Sequence, residues 1–390
     1  MMPESKKRNY KVFIGFAVLM LALGTSDSLR GIFAAIFQEH FKLTASGISK
    51  IIMVSYIGNL VFLLVGGNLM DRFERKPTML CVIMLWMAAL ILFALTDDYR
   101  MLLVGMFVAM GASTLLNTTI NIVTPTLFAT SPGLAVSVLF FIQGIGTSGG
   151  QSLIGNHITG FETWKMVNIL LLVLGILALG IILCSNIPDV RERTEGKTAD
   201  RKKGALKDPI LWMLVLIFGL YFIAEHGMMN WFVLYSVEHM GIATGKASNY
   251  LALFFGGITL GRLLFAPLID RLGTFRSIRI FGFLAVLLYA AGILLGSQFV
   301  WMMSTTGIFF SILYPTLVMC IAKLYSGNMV STVAGMIISF ASLFDIGFNY
   351  VFGRVAERVG YGTSFLIMPI SMVLFVVIFI VFSKKQEKIR

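Results

Sequence analysis

The sequence predicts an all-α membrane protein with twelve transmembrane helices in two pseudo-symmetric six-helix bundles. Composition is the first observation behind this fold class, since 57% of the 390 residues are hydrophobic and 13% are charged. Soluble globular domains carry about 25% charged residues. The second observation is a set of twelve long apolar segments, and the third is a repeat that relates the two halves of the chain.

Each apolar segment is long enough to cross the membrane, because a helix needs about 20 residues to span a hydrocarbon core of about 30 Å. We number the segments spans 1 to 12 in chain order. Spans 1 to 6 are predicted at residues 11–37, 48–70, 78–96, 101–126, 132–156 and 166–186. Spans 7 to 12 are predicted at residues 210–237, 247–269, 276–296, 299–323, 329–353 and 361–383.

Lys and Arg residues predict the orientation, because positively charged loops stay on the cytoplasmic side. They cluster near both termini and in alternate loops, at residues 6–11, 72–76, 191–207, 271–279 and 384–390. With an even number of spans both termini share one side, so we expect both in the cytoplasm and the protein in the inner or plasma membrane. The net charge of +12 therefore indicates topology and contact with anionic lipid, and nucleic-acid binding is a poor explanation for it.

The two halves of the chain share residue pairs at one common offset, which indicates a duplication. We therefore predict an N-terminal bundle at residues 1–187, a solvated cytoplasmic linker at 188–208 and a C-terminal bundle at 209–390. A shift of 199 residues lays Glu39-His40 on Glu238-His239, Asp71-Arg72 on Asp270-Arg271, and Asp27 within one position of Glu225.

Ionisable residues inside the spans are the strongest functional signal. Asp27 and Arg30 lie one helical turn apart in span 1, where a charge costs about 2.5–3.5 kcal/mol on insertion scales. Such a residue faces an aqueous cavity or a partner, so Asp27 is predicted to be a protonation switch, with a structural ion pair to Arg30 as the alternative. Glu225 and Asp345 are further candidates. His226 is expected to point about 100° away from Glu225 and to be a packed or lipid-flanking imidazole, although a histidine can relay protons.

The loop after span 2 follows the pattern G-x-x-x-D-R-x-x-R-K, with Gly67, Asp71, Arg72, Arg75 and Lys76. A degenerate second copy ends span 8, with Gly261, Arg262, Pro267, Asp270 and Arg271. Both resemble the loop signature of the major facilitator superfamily, and the resemblance covers essentially the whole chain. It implies the major facilitator fold, and it implies charge-assisted contacts that latch one conformation. The predicted gating residues are Gly67, Asp71, Arg72, Arg75, Lys76, Arg262, Asp270 and Arg271. Topological charge and a helix cap are the alternative, and Arg262 is expected mainly to hold span 8 to its neighbours.

Three shorter stretches resemble the fucose permease-like branch of sugar:proton symporters. They are GTSDSLRGIF around Asp27, LNTTIN in span 4, and AEHGMMNW in span 7. One departure matters, because Asn117 stands where that branch has a carboxylate in its fourth helix, and an amide does not take up a proton. Asp27 therefore works alone, Glu225 takes part, or the protein is not a proton symporter.

Polar residues recur at helical spacing on several spans. Span 4 carries Asn117 and Asn121, span 5 carries Gln143, Thr147 and Gln151, and span 11 carries Ser342, Asp345 and Asn349. Acids and amides mixed with the aromatic residues Phe33, Phe37, Trp231 and Tyr235 suit a hydroxyl-rich solute. The alternative for each amide is a hydrogen bond that joins helices. The predicted substrate-binding residues are Asp27, Arg30, Asn117, Asn121, Gln143, Glu225, Asn230, Trp231, Asp345 and Asn349.

The resulting hypothesis is a secondary transporter that imports a small polar solute, a monosaccharide or polyol, by proton symport and alternating access. Asp27 and Glu225 are its predicted proton-coupling residues. Export of drugs or organic cations, transport of an organic anion anchored by Arg30, and a non-transporting receptor remain alternatives. The sequence has no nucleotide-binding motif and no metal-ligand or nucleophile arrangement, so we expect neither an enzyme nor a cofactor nor a metal. A monomer is the expected state.

Overall fold

The computed structural model describes residues 4–128, 130–187, 204–325 and 329–389. Within these ranges the chain is helical, has no strand, and contains twelve helices long and apolar enough to cross a membrane. The predicted all-α fold class is therefore confirmed. Of the predicted linker at 188–208, only residues 204–208 lie inside the described part.

The helices of the first half are Glu4–Ile32 with Ala34–His40 (span 1), Ala45–Arg72 (span 2), Arg75–Leu95 (span 3), Tyr99–Leu127 (span 4), Pro132–Gly155 (span 5) and Phe161–Leu183 (span 6). Those of the second half are Pro209–Glu238 (span 7), Thr244–Leu272 (span 8), Thr274–Leu294 (span 9), Trp301–Thr305 with Gly307–Leu324 (span 10), Met329–Phe365 (span 11) and Ile367–Ile389 (span 12).

The boundary between spans 11 and 12 differs from the prediction. The helix of span 11 continues well beyond the predicted end at residue 353, as far as Gly360, whose φ of 78° and ψ of 164° are not helical. Glycine adopts this left-handed φ without the steric penalty that a Cβ imposes. A short helical stretch follows from residue 361, where span 12 was predicted to start, and the helix Ile367–Ile389 continues after it.

The chain divides into two compact units, Met1–Arg193 and Thr194–Arg390. Inside each unit, glycines bring helix backbones together, as small residues commonly do between membrane helices. In the first unit Gly146 of span 5 lies against the backbone carbonyl of Leu21 in span 1. In the second unit Gly307 of span 10 lies against the carbonyl of Phe254 in span 8.

Polar contacts fix two helix ends of the second unit. Asp208 caps span 7, since its carboxylate accepts a hydrogen bond of 2.9 Å from the Ile210 backbone N–H. The same carboxylate accepts a hydrogen bond of 2.6 Å from the Tyr325 hydroxyl, which follows directly on span 10. Asp208 therefore joins the start of span 7 to the end of span 10.

Two glycines of span 5 provide a matched test of this packing. A Cβ at Gly146 would collide with the Leu21 carbonyl, whereas a Cβ at Gly149 would meet no atom within 4 Å. We expect Gly146→Ala to lower stability by about 1–3 kcal/mol, because spans 1 and 5 must separate. Gly149→Ala is the control and should be neutral or slightly stabilising. Thermal unfolding of both variants in detergent checks this, and equal melting temperatures would contradict the close approach.

Candidate functional site

Asp27 is half-buried in the first unit and receives a hydrogen bond from a neighbouring helix. The Ser113 hydroxyl of span 4 donates to Asp27 Oδ2 at 2.9 Å. The other carboxylate oxygen, Oδ1, is buried and accepts no hydrogen bond from the protein. Asp27 thus has one occupied and one unoccupied acceptor, and an unsatisfied buried acceptor costs about 1–3 kcal/mol.

A chain of polar groups continues from this serine across three helices. The Asn117 amide nitrogen lies 3.5 Å from Ser113 Oγ, one turn away on span 4. The Gln143 amide of span 5 donates to Asn117 Oδ1 at 3.1 Å. We call Asp27, Ser113, Asn117 and Gln143 the Asp27 chain. It joins a carboxylate, a hydroxyl and two amides, and Asp27, Asn117 and Gln143 are partly exposed.

Two other polar residues of span 5 bond to the backbone of span 1. Thr147 donates to the Gly24 carbonyl at 3.2 Å, and Gln151 donates to the Ser28 carbonyl at 2.9 Å. In the opposite direction, the Thr25 hydroxyl of span 1 donates a hydrogen bond of 3.1 Å to the Gly146 carbonyl of span 5. These bonds fix span 1 against span 5, and they therefore hold Asp27 opposite Gln143.

Arg30 acts electrostatically on Asp27 from one turn away. Its guanidinium lies 4.8 Å from the centre of the Tyr56 ring, a cation–π contact. One guanidinium nitrogen is 3.2 Å from the Met110 sulfur, and another is 3.5 Å from the Tyr56 hydroxyl. Arg30 therefore also contacts spans 2 and 4. Asn121, one turn beyond Asn117, is half-buried on span 4.

The second unit contains a cluster of two acids and a histidine. Glu225 and His226 lie on span 7, and Asp345 lies on span 11. His226 Nδ1 is 2.9 Å from Asp345 Oδ2, and His226 Nε2 is 3.9 Å from Glu225 Oε2. His226 therefore lies between the two acids and does not point away from Glu225, and the proton relay left open for it stays a prediction. Adjacent residues such as Glu225 and His226 leave a helix in different directions. Rotation about the side-chain bonds of His226 nevertheless brings its ring between the two acids.

Further polar groups surround this cluster. Arg262 of span 8 acts electrostatically on Glu225, and so do the Tyr221 and Tyr314 hydroxyls. The Tyr221 hydroxyl is buried and has no hydrogen-bond partner in the described part of the chain. The Phe222 ring stacks on the His226 imidazole with 4.9 Å between centres and 19° between planes. The cluster thus combines anionic, cationic and hydroxyl groups on spans 7, 8, 10 and 11.

Several predicted solute ligands of the second unit bond to one another in this conformation. The Trp231 indole N–H donates to Asn349 Oδ1 at 2.8 Å, and the Asn349 amide donates to the Asp345 carbonyl at 2.7 Å. Trp231 packs on Phe352 with 4.3 Å between ring centres. Trp231 and Asn349 are fully buried, and Asn230 is 1% exposed.

The aromatic residues expected to stack on a solute are also covered. Phe33 and Phe37 lie edge-on to Trp164 of span 6, with ring centres 5.2 and 4.9 Å away. Tyr235 stacks on Phe365 with 4.0 Å between centres. In this conformation these rings contribute to packing, and none of them presents a free face.

The predicted gating residues are described only in part. Lys76 Nζ donates to the Leu183 carbonyl at 2.9 Å and so caps the last turn of span 6. Arg75 is 5% exposed, whereas Arg262 and Arg271 are exposed. The hydrogen bond from Lys76 to span 6 is of the kind expected if this loop caps a helix and does not act as a gate. The side chains of Gly67, Asp71, Arg72 and Asp270 lie outside the described part of the structure.

Two site residues escaped sequence reasoning. Ser113 precedes Asn117 by four positions, so it continues the stripe of Asn117 and Asn121, but serine is too common inside membrane helices to signal a site alone. His226 was expected to point away from Glu225, with a proton relay as the alternative. In the described part of the chain, no group of three or more His, Cys, Asp or Glu residues is arranged to hold a metal ion.

A serine pair tests the hydrogen bond to Asp27. Ser113→Ala leaves the Asp27 carboxylate without its donor, so we expect about 1–3 kcal/mol of lost stability when the carboxylate is ionised. The loss should shrink in acid, because a protonated carboxyl no longer needs that donor. Ser55→Ala is the control, since Ser55 is equally buried and bonds only the Ile51 carbonyl of its own helix. Melting temperatures across pH measure both, and pH-independent loss for Ser113→Ala would argue against the bond.

Most of the chain is similar to a known protein family. A family model described as Major Facilitator Superfamily matches residues 12–343. Among curated proteins, none matches this sequence significantly. The similarity therefore lies at the level of a large family.

Solved structures resemble the chain along nearly its whole length. A mutant form of the nucleoside transporter NupG has a TM-score of 0.80 at 13% identity, over 95% of this chain and 99% of its own. FucP, the fucose:proton symporter of E. coli, has a TM-score of 0.67 at 19% identity, over 94% and 97%. A D-xylose-proton symporter has a TM-score of 0.74 at 13% identity, over 95% and 97%. At these identities the likeness shows the fold alone.

Proposed function

Because this chain belongs to the major facilitator superfamily, a family of membrane transporters and not of enzymes, we propose that it moves a small hydroxyl-rich solute together with protons. A monosaccharide or polyol is the proposed solute. Asp27 is the proposed proton-coupling residue in the first unit, and transport is secondary and active. Both termini are proposed to be cytoplasmic, as the basic loops indicate.

The Asp27 chain is the observation that carries this proposal. Its carboxylate and amide oxygens accept hydrogen bonds, while its amide N–H groups donate them. A sugar hydroxyl does both, so a few such groups fix its orientation. Asp27, Asn117 and Gln143 are partly exposed, which makes them reachable by a solute. Arg30 and Asn121 border the Asp27 chain and are proposed to contribute to binding.

Protonation of Asp27 changes what the Asp27 chain offers to a solute. Ionised, the carboxylate only accepts hydrogen bonds, and its Oδ1 has no donor from the protein. Protonated, it gains an O–H donor and loses its charge. Since a charge at membrane depth costs about 2.5–3.5 kcal/mol, proton binding favours any conformation in which Asp27 is less hydrated. Solute binding and proton binding are therefore linked at one carboxyl group.

The solved relatives support the class of solute. FucP is a fucose:proton symporter, the second relative is a D-xylose-proton symporter, and NupG is a nucleoside transporter. All three solute types carry several hydroxyl groups. Nucleosides consequently belong beside sugars and polyols in any test of this chain.

The alternatives are less well supported by the contacts. An organic anion would need the Arg30 guanidinium, which already lies against the Tyr56 ring and the Met110 sulfur. An organic cation would need exposed acids, whereas Glu225 and Asp345 are 6% and 1% exposed. Competition by carboxylates or lipophilic cations, in place of sugars, would favour these alternatives.

The test of the proposed function is uptake by liposomes that contain the purified protein. An inwardly directed proton gradient should drive accumulation of a labelled sugar, polyol or nucleoside. In Asp27→Asn we expect accumulation to fall at least about tenfold, while exchange of solute at equal pH persists, because the amide keeps the shape but does not bind a proton. Asp97→Asn is the control, since Asp97 is an exposed acid that pairs with Lys165. Full accumulation by Asp27→Asn would reject the role of Asp27.

Two glutamines of span 5 separate binding from packing. Gln143 belongs to the Asp27 chain, whereas Gln151 is fully buried and bonds the span 1 backbone. We expect Gln143→Ala to weaken solute affinity about tenfold, the equivalent of one hydrogen bond of about 1.4 kcal/mol. Gln151→Ala should instead lower the melting temperature and leave affinity nearly unchanged. Binding measurements on both variants check this, and the reverse pattern would place the solute elsewhere.

A further inference from the structure

We propose that Glu225, His226 and Asp345 form a second proton-binding site, in the second unit, which holds one exchangeable proton between the His226 imidazole and the Glu225 carboxylate. The assignment goes beyond Asp27, since it gives the chain two protonation sites on different units. Its use in transport rests on the proposed function, but proton binding by the cluster does not.

The contact between His226 and Asp345 is the first reason. The Asp345 side chain is 2% exposed and lies 2.9 Å from His226 Nδ1. When Asp345 is ionised it can only accept, and Nδ1 then carries the hydrogen of this bond. Asp345 Oδ1 accepts no hydrogen bond from the protein. A buried charge of this kind requires a partner of opposite charge, and the imidazolium form of His226 supplies it.

The position of the second imidazole nitrogen is the second reason. Nε2 lies 3.9 Å from Glu225 Oε2. If His226 is neutral and Glu225 is ionised, a nitrogen lone pair faces a carboxylate oxygen and the two repel each other. One added proton removes this repulsion, whether it resides on Nε2 or on Oε2. A small side-chain movement or one water molecule closes the remaining gap.

The charged and titratable groups around the cluster come from several helices. Span 7 contributes Tyr221 besides Glu225, span 8 contributes Arg262, span 9 contributes Tyr289, span 10 contributes Tyr314, and span 11 contributes Asp345. Span 12 contributes none, because residues 367–383 contain no ionisable side chain. With Arg262 charged and both acids ionised, a protonated His226 makes the sum of charges zero. Loss of this proton leaves one uncompensated negative charge in an apolar surrounding.

Exposure indicates how the proton enters and leaves. The His226 side chain is 23% exposed, whereas those of Glu225 and Asp345 are 8% and 2% exposed. His226 is therefore the most exposed member of the cluster, and the proton is proposed to enter there. The stacked Phe222 ring and the bond to Asp345 hold the imidazole in one orientation, so proton exchange occurs at Nε2.

The cluster adds a protonatable group that the Asp27 chain lacks. Asn117 is an amide without an ionisable proton, and it passes hydrogen bonds along the Asp27 chain. The first unit therefore offers one protonatable group in that chain. The second unit offers the other, in the form of Glu225 with His226.

The first experiment measures the pH dependence of solute exchange in liposomes at equal pH on both sides. We expect His226→Gln and Asp345→Asn to displace the pH profile by at least about tenfold in proton concentration. His157→Gln is the matched control, because His157 is exposed at the end of span 5. An unchanged profile in His226→Gln would overturn the proposal.

A double variant keeps the proposal testable if single variants are unstable. Asp345→Asn alone and His226→Gln alone each disturb a buried pair, whereas the combination leaves no unpaired charge between them. The double variant should therefore regain stability and still lack the wild-type response to pH. If it recovers stability and also retains the wild-type pH profile, the pair is structural and the proposal fails.

Proton binding is measured independently of transport by nitrogen-15 NMR of labelled histidines. The chain has four histidines, so the signal absent from His226→Gln identifies His226. We expect this signal to respond to pH and its response to change in Glu225→Gln, with the His157 signal unaffected. If the pH response of the His226 signal is the same in Glu225→Gln as in the wild type, the proposal is overturned. If wild-type liposomes accumulate no solute while the signal behaves as expected, only the proposed function fails.

Discussion

The structure depends on one constraint, which is that an ionisable or polar group in an apolar membrane interior must find a partner inside the protein. Each span consists mostly of residues that pack or face lipid, so the few polar groups are the ones that specify which helices meet. Asp27 meets span 4 through Ser113, and Asp345 meets span 7 through His226. The need to satisfy polar groups thus places acids, amides and an imidazole at helix contacts.

The two units satisfy this constraint in different ways. In the first unit the carboxylate accepts a hydrogen bond from one neutral donor, Ser113, and Arg30 acts on it from one turn away. Its protonation therefore changes hydrogen-bonding capacity as much as charge. In the second unit, acids face a histidine and Arg262, so charges compensate one another directly. A proton added there changes the charge balance of the cluster, while a proton added at Asp27 changes which hydrogen bonds the carboxyl group can donate and accept.

Hydropathy alone predicted the class and number of the helices, because the membrane allows few alternatives to a continuous apolar helix. The predicted end of span 11 came too early, because the helix continues to Gly360 and ends there by the backbone conformation of this glycine, and one glycine among many gives no signal in an apolar run. Helical spacing placed Asp27, Asn117 and Gln143 on facing helices, and the structure brings them into one chain. Spacing failed for His226, since a side chain that rotates about its own bonds reaches partners that its position on the helix does not indicate. Helical spacing also does not distinguish a residue that binds solute from one that joins two helices. Trp231 and Asn349, for example, were predicted to bind solute, and in this conformation they bond to each other.

Packing and site geometry in the first unit cannot be separated from one another. A Cβ at Gly24 would meet Gln143, and the Thr147 and Gln151 bonds fix the same two helices within two turns of Asp27. The separation of Asp27 from Gln143 is therefore set by how closely spans 1 and 5 approach. Ser113, in contrast, reaches Asp27 from span 4 through a single hydrogen bond of 2.9 Å. Spans 1 and 5 are held by several contacts, whereas one hydrogen bond, from Ser113, joins the Asp27 carboxylate to span 4. This bond is the one that depends on the charge of the carboxylate, which makes it the point where protonation acts on helix packing.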